Sequence, residues 1–375
     1  MESVEVFKTP GQLIVDQLSK RNWTNRLLAI VMGKDETAIS KLVTDKSPVT
    51  ADTALLLEEV FGIPAERFLN LQKSYDLSIA RVKTIPDPNR AARANLFGGL
   101  PIQEMLTRSW IKVENTKSIL EIESELTAFF NTNALAEIEA LPHAAKKTGA
   151  VSAATLPQLA WLYRVRQIAA QMLTPKYSKE KLLKALPKLK ELLIAPEEAR
   201  KVPKLLGECG IRFLIVEALK SSKIDGVCCW LDLNTPVIAM TLRFDRMDNF
   251  WFVLRHELEH VLQGHGQRFP VIDTELESNK TADIEEQMAN AAGSEFCAPQ
   301  VKIDSFIARK APLFPERDFL GLAKILGVHP CLVAGQIRYK TGRYELFNAH
   351  MVKIRACVLP SAIVDGWGDI APIAI

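Results

Sequence analysis

Residues 250–266 read FWFVLRHELEHVLQGHG. At their centre stands His256-Glu257-Leu258-Glu259-His260. An α-helix advances about 100° per residue, so two histidines four apart share one face, one turn from each other. That spacing lets two imidazoles meet one tetrahedral zinc ion, and Glu257, beside the first of them, can take a proton from a water at such an ion. Phe252, Val253, Leu258, Val261 and Leu262 supply an apolar anchor for the helix. The bland alternative is a pair of histidines on the exposed side of a helix packed on a sheet.

The sequence before the motif predicts that sheet. Short apolar runs bounded by Gly, Asp, Asn and Pro occur at Arg212–Glu217, Gly226–Leu231 and Val237–Arg243, the pattern of strands. Helical patterns follow at 283–298, 300–309, 316–327 and 331–341. In the first of these, Ala289, Ala292, Gly293 and Phe296 form a small or apolar face, and Glu286 lies on the same stripe. A carboxylate on such a face wants a partner, which makes Glu286 a candidate third ligand. The alternative is that Glu285 and Glu286 both favour the helix start through its dipole. Glu285 is expected to point to solvent. Glu259 is a second carboxylate inside the motif, either close enough to alter the metal's affinity or facing solvent. His265 reads as a solvent-facing loop residue, with an auxiliary role as the alternative.

At the other end, residues 1–82 read as five short helices. Pro10 and Gly11 precede the first, which runs through Leu13, Val15 and Leu18. Thr24 can cap a second helix, Asn25–Met32, which Gly33 breaks. Asp35 can cap a third, Glu36–Val43. Thr50 caps a fourth, with Leu55, Leu56, Val60 and Phe61 inward, and Pro64 opens a fifth carrying Phe68, Leu69, Leu71 and Tyr75. The second and third helices fit a helix-turn-helix, whose second member enters a major groove. Asn25, Arg26, Lys34, Glu36, Thr37, Ser40, Lys41 and Lys46 are the candidate DNA contacts, Arg26, Lys41 and Lys46 against phosphates. The segment carries 10 Lys and Arg against 11 Asp and Glu. A near-neutral module has few phosphate contacts to spare, and the competing reading is a helical bundle used for protein contacts.

Residues 83–101, with three prolines and two glycines, read as a linker. Residues 102–205 read as a helical, basic middle region: 144–206 holds 13 Lys and Arg against 4 Glu and no Asp. Lys179, Lys181, Lys184, Lys188 and Lys190 are read as a solvated helix face rather than a nucleic-acid surface. Residues 206–345 hold the strands and the metal motif; the tail 346–375 resists assignment.

The bulk numbers agree with an ordinary globular protein. Of 375 residues 48% are hydrophobic and 24% charged, and the net charge of +3 implies no partner by itself. Six cysteines without CxxC spacing predict reduced, mostly buried thiols. The first residues lack the pattern of a signal peptide and no apolar run reaches the ~18 residues of a membrane span, so a cytoplasmic protein without membrane partners is expected.

Two resemblances sharpen these readings. VIAMTLRFDRMDNFWFVLRHELEHVLQGH, then EEQMANAAGSEFCAP and DFLGLAKILGVHPCLVAGQIRY, resemble the ImmA/IrrE family of bacterial metallopeptidases over roughly 200–345. The resemblance implies that His256, His260 and Glu286 hold zinc and that Glu257 is the catalytic base. Glu259 departs from it, since the family often has Gly there. For an oxyanion donor Arg338 and Tyr339 are guesses. The N-terminal stretch, through Asn22-Trp23-Thr24, Ile39-Ser40, Thr50 to Ala54 and Phe68 to Tyr75, resembles XRE-type antitoxin regulators of the HigA kind. Together they imply a mainly α protein with a small sheet (α+β). Its N-terminal helix-turn-helix would bind operator DNA as a homodimer, and its zincin-like domain would cleave or sense a protein partner in toxin–antitoxin, mobile-element or stress-response control. The alternative is a non-enzymatic antitoxin that masks a toxin and represses its own promoter.

Overall fold

The hydroxyl of Thr9 accepts from the backbone N–H of Gln12 at 3.2 Å and starts the first helix of a computed structural model that describes residues 7–84, 87, 90–116, 118–138, 154–267, 271–274 and 284–367. The chain is mainly α-helical with a small mixed sheet. It divides into two units, Met1–Pro88 and Asn89–Ile375.

The first unit holds α1 (Pro10–Arg21), α2 (Asn25–Met32), α3 (Glu36–Val43), α4 (Ala51–Phe61) and α5 (Ala65–Lys83). Thr24 and Thr50 cap α2 and α4 by accepting from the N–H groups of Leu27 and Thr53. Asp35 sits at the cap position of α3, but its side chain makes no capping bond. The buried faces are Leu13, Ile14 and Leu18 on α1, and Ala54, Leu57 and Phe61 on α4. Leu55, expected inward, is exposed, and so is Val15 of the first helix. Each lies one residue off the stripe its neighbours define, and a one-residue step turns a helix position by about 100°. Phe68 of α5 closes this core and is fully buried.

The second unit starts inside the expected linker. Residues Arg90–Gly99 form a helix, α6, because RAARANLF carries good helix formers; Leu96, and Leu100 just past the helix end, are buried in one core with Trp110 and Phe129. The residues between Lys83 and Arg90 fall mostly outside the described ones. After α7 (Ile102–Thr107) and α8 (Ile119–Phe130) come α9 (Leu156–Gln171), α10 (Lys179–Glu191) and α11 (Val202–Glu208).

Among the described residues five strands follow: β1 (Arg212–Val216), β2 (Ile224–Trp230), β3 (Pro236–Met240), β4 (Val271–Thr274) and β5 (Ile363–Asp365). Their order is β4-β2-β3-β1-β5, with β1 parallel to both β3 and β5, and β2 antiparallel to both β3 and β4. Side chains alternate across the sheet, as the period of two requires. Phe213, Ile215, Cys228, Trp230, Ile238 and Met240 face one core; Leu214, Val216, Val227, Cys229, Val237 and Ala239 face another. Both faces are covered, which is why these strands read as continuous apolar runs.

The helix α12 (Met247–Gln263) and the elements after it cover the first face: α13 (Ile284–Cys297), α14 (Gln300–Lys310), α15 (Glu316–Leu326), α16 (Pro330–Thr341) and α17 (Arg355–Val358). Helices α10 and α11 pack into the first core with Leu182, Leu189 and Leu206, while α6 to α9 cover the second face. Trp161 of α9 is fully buried there and its Nε1 donates to the carbonyl of Val216 at 3.0 Å. The segment 102–205 therefore packs as part of the sheet-bearing unit, and the C-terminal tail supplies the edge strand β5. On α10 the five lysines named above are exposed while Leu182, Ala185 and Leu189 are buried, a solvated face over an apolar one. The start of the basic stretch, 144–153, and the end of the tail, 368–375, lie outside the described residues. All six cysteines are free, five of them buried. Among the described residues no single helix is long and apolar enough to cross a membrane.

Candidate metal centre

Helix α12 begins at Met247 and ends in Gly264, which takes φ 74°. Met247, Phe250, Trp251, Val253, Leu254 and Leu258 drive it against β2 and β3, and the same rotation buries His256, Glu257 and His260 completely. Helix α13 packs along it. Its small-residue face permits that approach: a Cβ built on Gly293 would lie 3.0 Å from the carbonyl oxygen of Phe252.

The pairing of α12 and α13 brings three donors together. His256 Nε2 and His260 Nε2 are 3.0 Å apart. Glu286 Oε2 lies 3.4 Å from the first and Glu286 Oε1 3.5 Å from the second. Two nitrogens and a carboxylate oxygen at about 2.0–2.1 Å from a tetrahedral zinc would stand roughly 3.3 Å from one another. The triangle has that size, its atoms are a zinc-type donor set, and two of its three residues are shielded from water. His256, His260 and Glu286 fit a zinc ion.

The outer nitrogens are also engaged. His256 Nδ1 is 3.1 Å from Asn290 Oδ1. With the amide oxygen facing the ring, Nδ1 carries the proton and Nε2 keeps its lone pair for the cluster. Asn290 stands four residues after Glu286, on the same face of α13. Sequence reasoning did not single it out, although that spacing was its signal. His260 Nδ1 is 3.0 Å from His265 Nδ1, and His265 Nε2 is 3.5 Å from Glu285 Oε1. The expectation of a solvent-facing His265 is thus corrected. The turn after Gly264 folds the ring back on the helix end, and its side chain is only 16% exposed. Glu285 is largely exposed, as expected.

Glu257 lies against β2 at Gly226, and its carboxylate fills the space a side chain there would take. Glu259 accepts from Arg255 Nη2 at 2.7 Å and from Gln263 Nε2 at 2.7 Å, one turn away on either side. Burial pushes its carboxyl up, but these bonds outweigh it and hold the group below the usual range. It is tied to its own helix rather than to the group of His256, His260 and Glu286. Arg338 donates to Asn348 Oδ1 at 3.0 Å and lies over the Tyr344 ring, and Tyr339 is exposed, so neither is built into the cluster.

In the first unit Lys34, Glu36, Thr37, Ser40, Lys41 and Lys46 are exposed in and around α3, with Ile39 and Leu42 turned inward. Arg26 is exposed on α2 and Asn25 half-buried. The arrangement leaves one long face of α3 accessible.

No family model matches the chain. Over 72 residues, 19% of this chain and 67% of the relative, it is 33% identical to virulence-associated protein I of Dichelobacter nodosus. Among solved structures it is similar to an addiction module antidote protein of a HigA family from Coxiella burnetii, at 26% identity and a TM-score of 0.19. That likeness covers 21% of this chain and 95% of the other.

Proposed function

The chain belongs, over the 72 residues it shares with virulence-associated protein I, to that protein's family, and from that premise we propose that it is a DNA-binding regulator with a zinc-peptidase-like centre of the ImmA/IrrE kind. We read the shared residues as the five-helix unit. The accessible face of α3 supports operator binding, as a homodimer, with Arg26, Lys41 and Lys46 on phosphates and Asn25, Thr37 and Ser40 near base edges.

The observation that carries the second half is the triangle of His256 Nε2, His260 Nε2 and the Glu286 carboxylate, with sides of 3.0, 3.4 and 3.5 Å. A zinc ion there would supply Lewis acidity, polarising a carbonyl and acidifying water. Glu257 is the proton acceptor of this reading, and its burial against β2 holds it in one orientation. Asn290 orients His256. The partner is a protein, either a repressor or toxin that is cut, or one that is bound and sensed. The setting is toxin–antitoxin, mobile-element or stress-response control in the cytoplasm.

The test uses the full-length chain. Metal analysis should find about one zinc per chain in the wild type, lost in His256→Ala and in Glu286→Ala. A wild type that folds, represses and carries no zinc would sink the metal reading. Glu257→Gln should keep the zinc, abolish cleavage and trap the partner for identification. A captured toxin that is never cut would favour masking over proteolysis.

A further inference from the structure

The contact between His260 and His265 has only one proton arrangement compatible with a metal at the cluster. We propose that His265, backed by Glu285, is a positioning residue that fixes His260 in the tautomer with its Nε2 lone pair facing Glu286 and the metal. The proposal rests on the zinc reading above.

The two Nδ1 atoms are 3.0 Å apart, so one donates and the other accepts. A neutral imidazole carries one N–H. If His260 Nε2 is to ligate, its proton sits on Nδ1, and His260 is the donor. His265 Nδ1 is then the acceptor, and its proton lies on Nε2, 3.5 Å from Glu285 Oε1. Every member of the chain has the role its neighbour needs. A carboxylate behind a histidine behind a ligating histidine extends by one ring the outer-shell pattern that orients metal-bound imidazoles. His256 obtains the same result from an amide oxygen.

The ring of His265 is held in place by its own backbone. The carbonyl of His265 accepts from Trp230 Nε1 at 2.8 Å and from Cys228 Sγ at 3.7 Å, both on β2. Its N–H donates to the carbonyl of His260 at 2.9 Å. None of these bonds uses the imidazole, so a side-chain substitution leaves the turn's anchors in place. With Nδ1 engaged by His260, the ring is an outer-shell group and not a fourth ligand.

The full-length chain is stripped of metal and titrated with zinc against a chromophoric chelator. The set is wild type, His265→Ala, His265→Gln and Glu285→Gln. His265→Ala should bind zinc roughly 10- to 100-fold more weakly, the usual cost of losing an outer-shell partner, while the metal-free unfolding midpoint stays close to wild type. His265→Gln, whose amide oxygen can accept from His260 Nδ1, should recover most of the loss. Glu285→Gln should lose less than His265→Ala, because Glu285 is exposed. Long-range proton–nitrogen NMR on the metal-free wild type should find the His260 proton on Nδ1. Zinc bound equally by wild type and His265→Ala overturns the proposal and leaves the zinc site intact. A loss in His265→Ala that Gln does not recover, or a wild-type His260 protonated on Nε2, also overturns it. A wild type without zinc affinity overturns both readings. Should His265→Ala fail to fold, the Gln variant and the wild-type tautomer decide the matter.

Discussion

Gly226 on β2 and Glu257 on α12 share one space. A methyl at position 226 would overlap Glu257 Oε1 and lie 2.9 Å from Val253 Cγ1. Gly226→Ala therefore asks Glu257 or the helix to move, at a cost of about 1–3 kcal/mol for an overpacked core. The three side chains of the proposed metal site are not in that contact. The variant should keep its zinc, lose stability in urea unfolding, and lose about 10²-fold or more in turnover once a substrate is known, the scale of a displaced general base. Wild-type turnover in a variant of wild-type stability would refute the role given to this glycine.

A second glycine sets the other side of the site. The space at Gly293 is bounded by the backbone oxygen of Phe252 at 3.0 Å and by the Phe252 ring. Backbone cannot swing aside as a side chain can, so Gly293→Val should push α13 away from α12. Glu286, seven residues earlier on the same face, would move with it. Zinc affinity is expected to fall along with about 1–3 kcal/mol of stability. Affinity unchanged in a destabilised variant would mean that Glu286 is placed independently of this packing.

The main residues of the candidate site were legible because their signals are local. His256 and His260 sit one helical turn apart in an amphipathic segment, and Glu286 lies on a stripe of small residues. β1, β2 and β3 were legible because burial on both faces makes them nearly continuous apolar runs, whereas β4 and β5 were not among the expected strands. His265 was not: flanked by Gly264 and Gly266, it reads as a loop, and only the fold of that turn carries its ring back to His260. Gly226 did leave a trace, a lone glycine in an apolar strand run, which often marks close approach of another group. That this group is Glu257 depends on strand-to-helix packing across 31 positions of sequence. The attachment of α9 and of β5 to the sheet is longer in range still, as Asp365 with its partners Arg164 and Trp110 illustrates.

Asp365 is fully buried in β5 and accepts from Arg164 Nε at 2.5 Å and from Trp110 Nε1 at 3.3 Å. Burial pushes its carboxyl above the usual range, against the pull of the Arg164 guanidinium. A folded value above the unfolded one, about 3.9, means that the folded protein holds more of this proton between the two values. The stabilisation is then complete in acid and is lost as pH rises through the folded value. Asp365→Asn has no proton to titrate. The stability difference between wild type and Asp365→Asn, measured by urea unfolding from about pH 4 upward, should thus be most in the wild type's favour at the acid end and decline as pH rises. A difference that grows with pH would reverse the assigned direction.

The last expectation concerns α3. The N-terminal segment has almost no net charge, so under the proposed function DNA binding rests on a few well-placed cations. Arg26 and Lys41 are exposed, on α2 and α3. If both meet phosphates, Arg26→Ala with Lys41→Ala should weaken binding to fragments selected by the wild type from a random-sequence pool. It should also reduce the slope of log K against log salt by about 2, near 0.9 per lost contact. Thr37→Ala should instead change which sequences are selected, because a group near base edges carries information and little charge. Lys184→Ala with Lys188→Ala, on the solvated face of α10, should change neither. Binding that is lost in the α10 variant and kept in the α2–α3 variant would move the nucleic-acid surface to the second unit and leave the first for protein contacts.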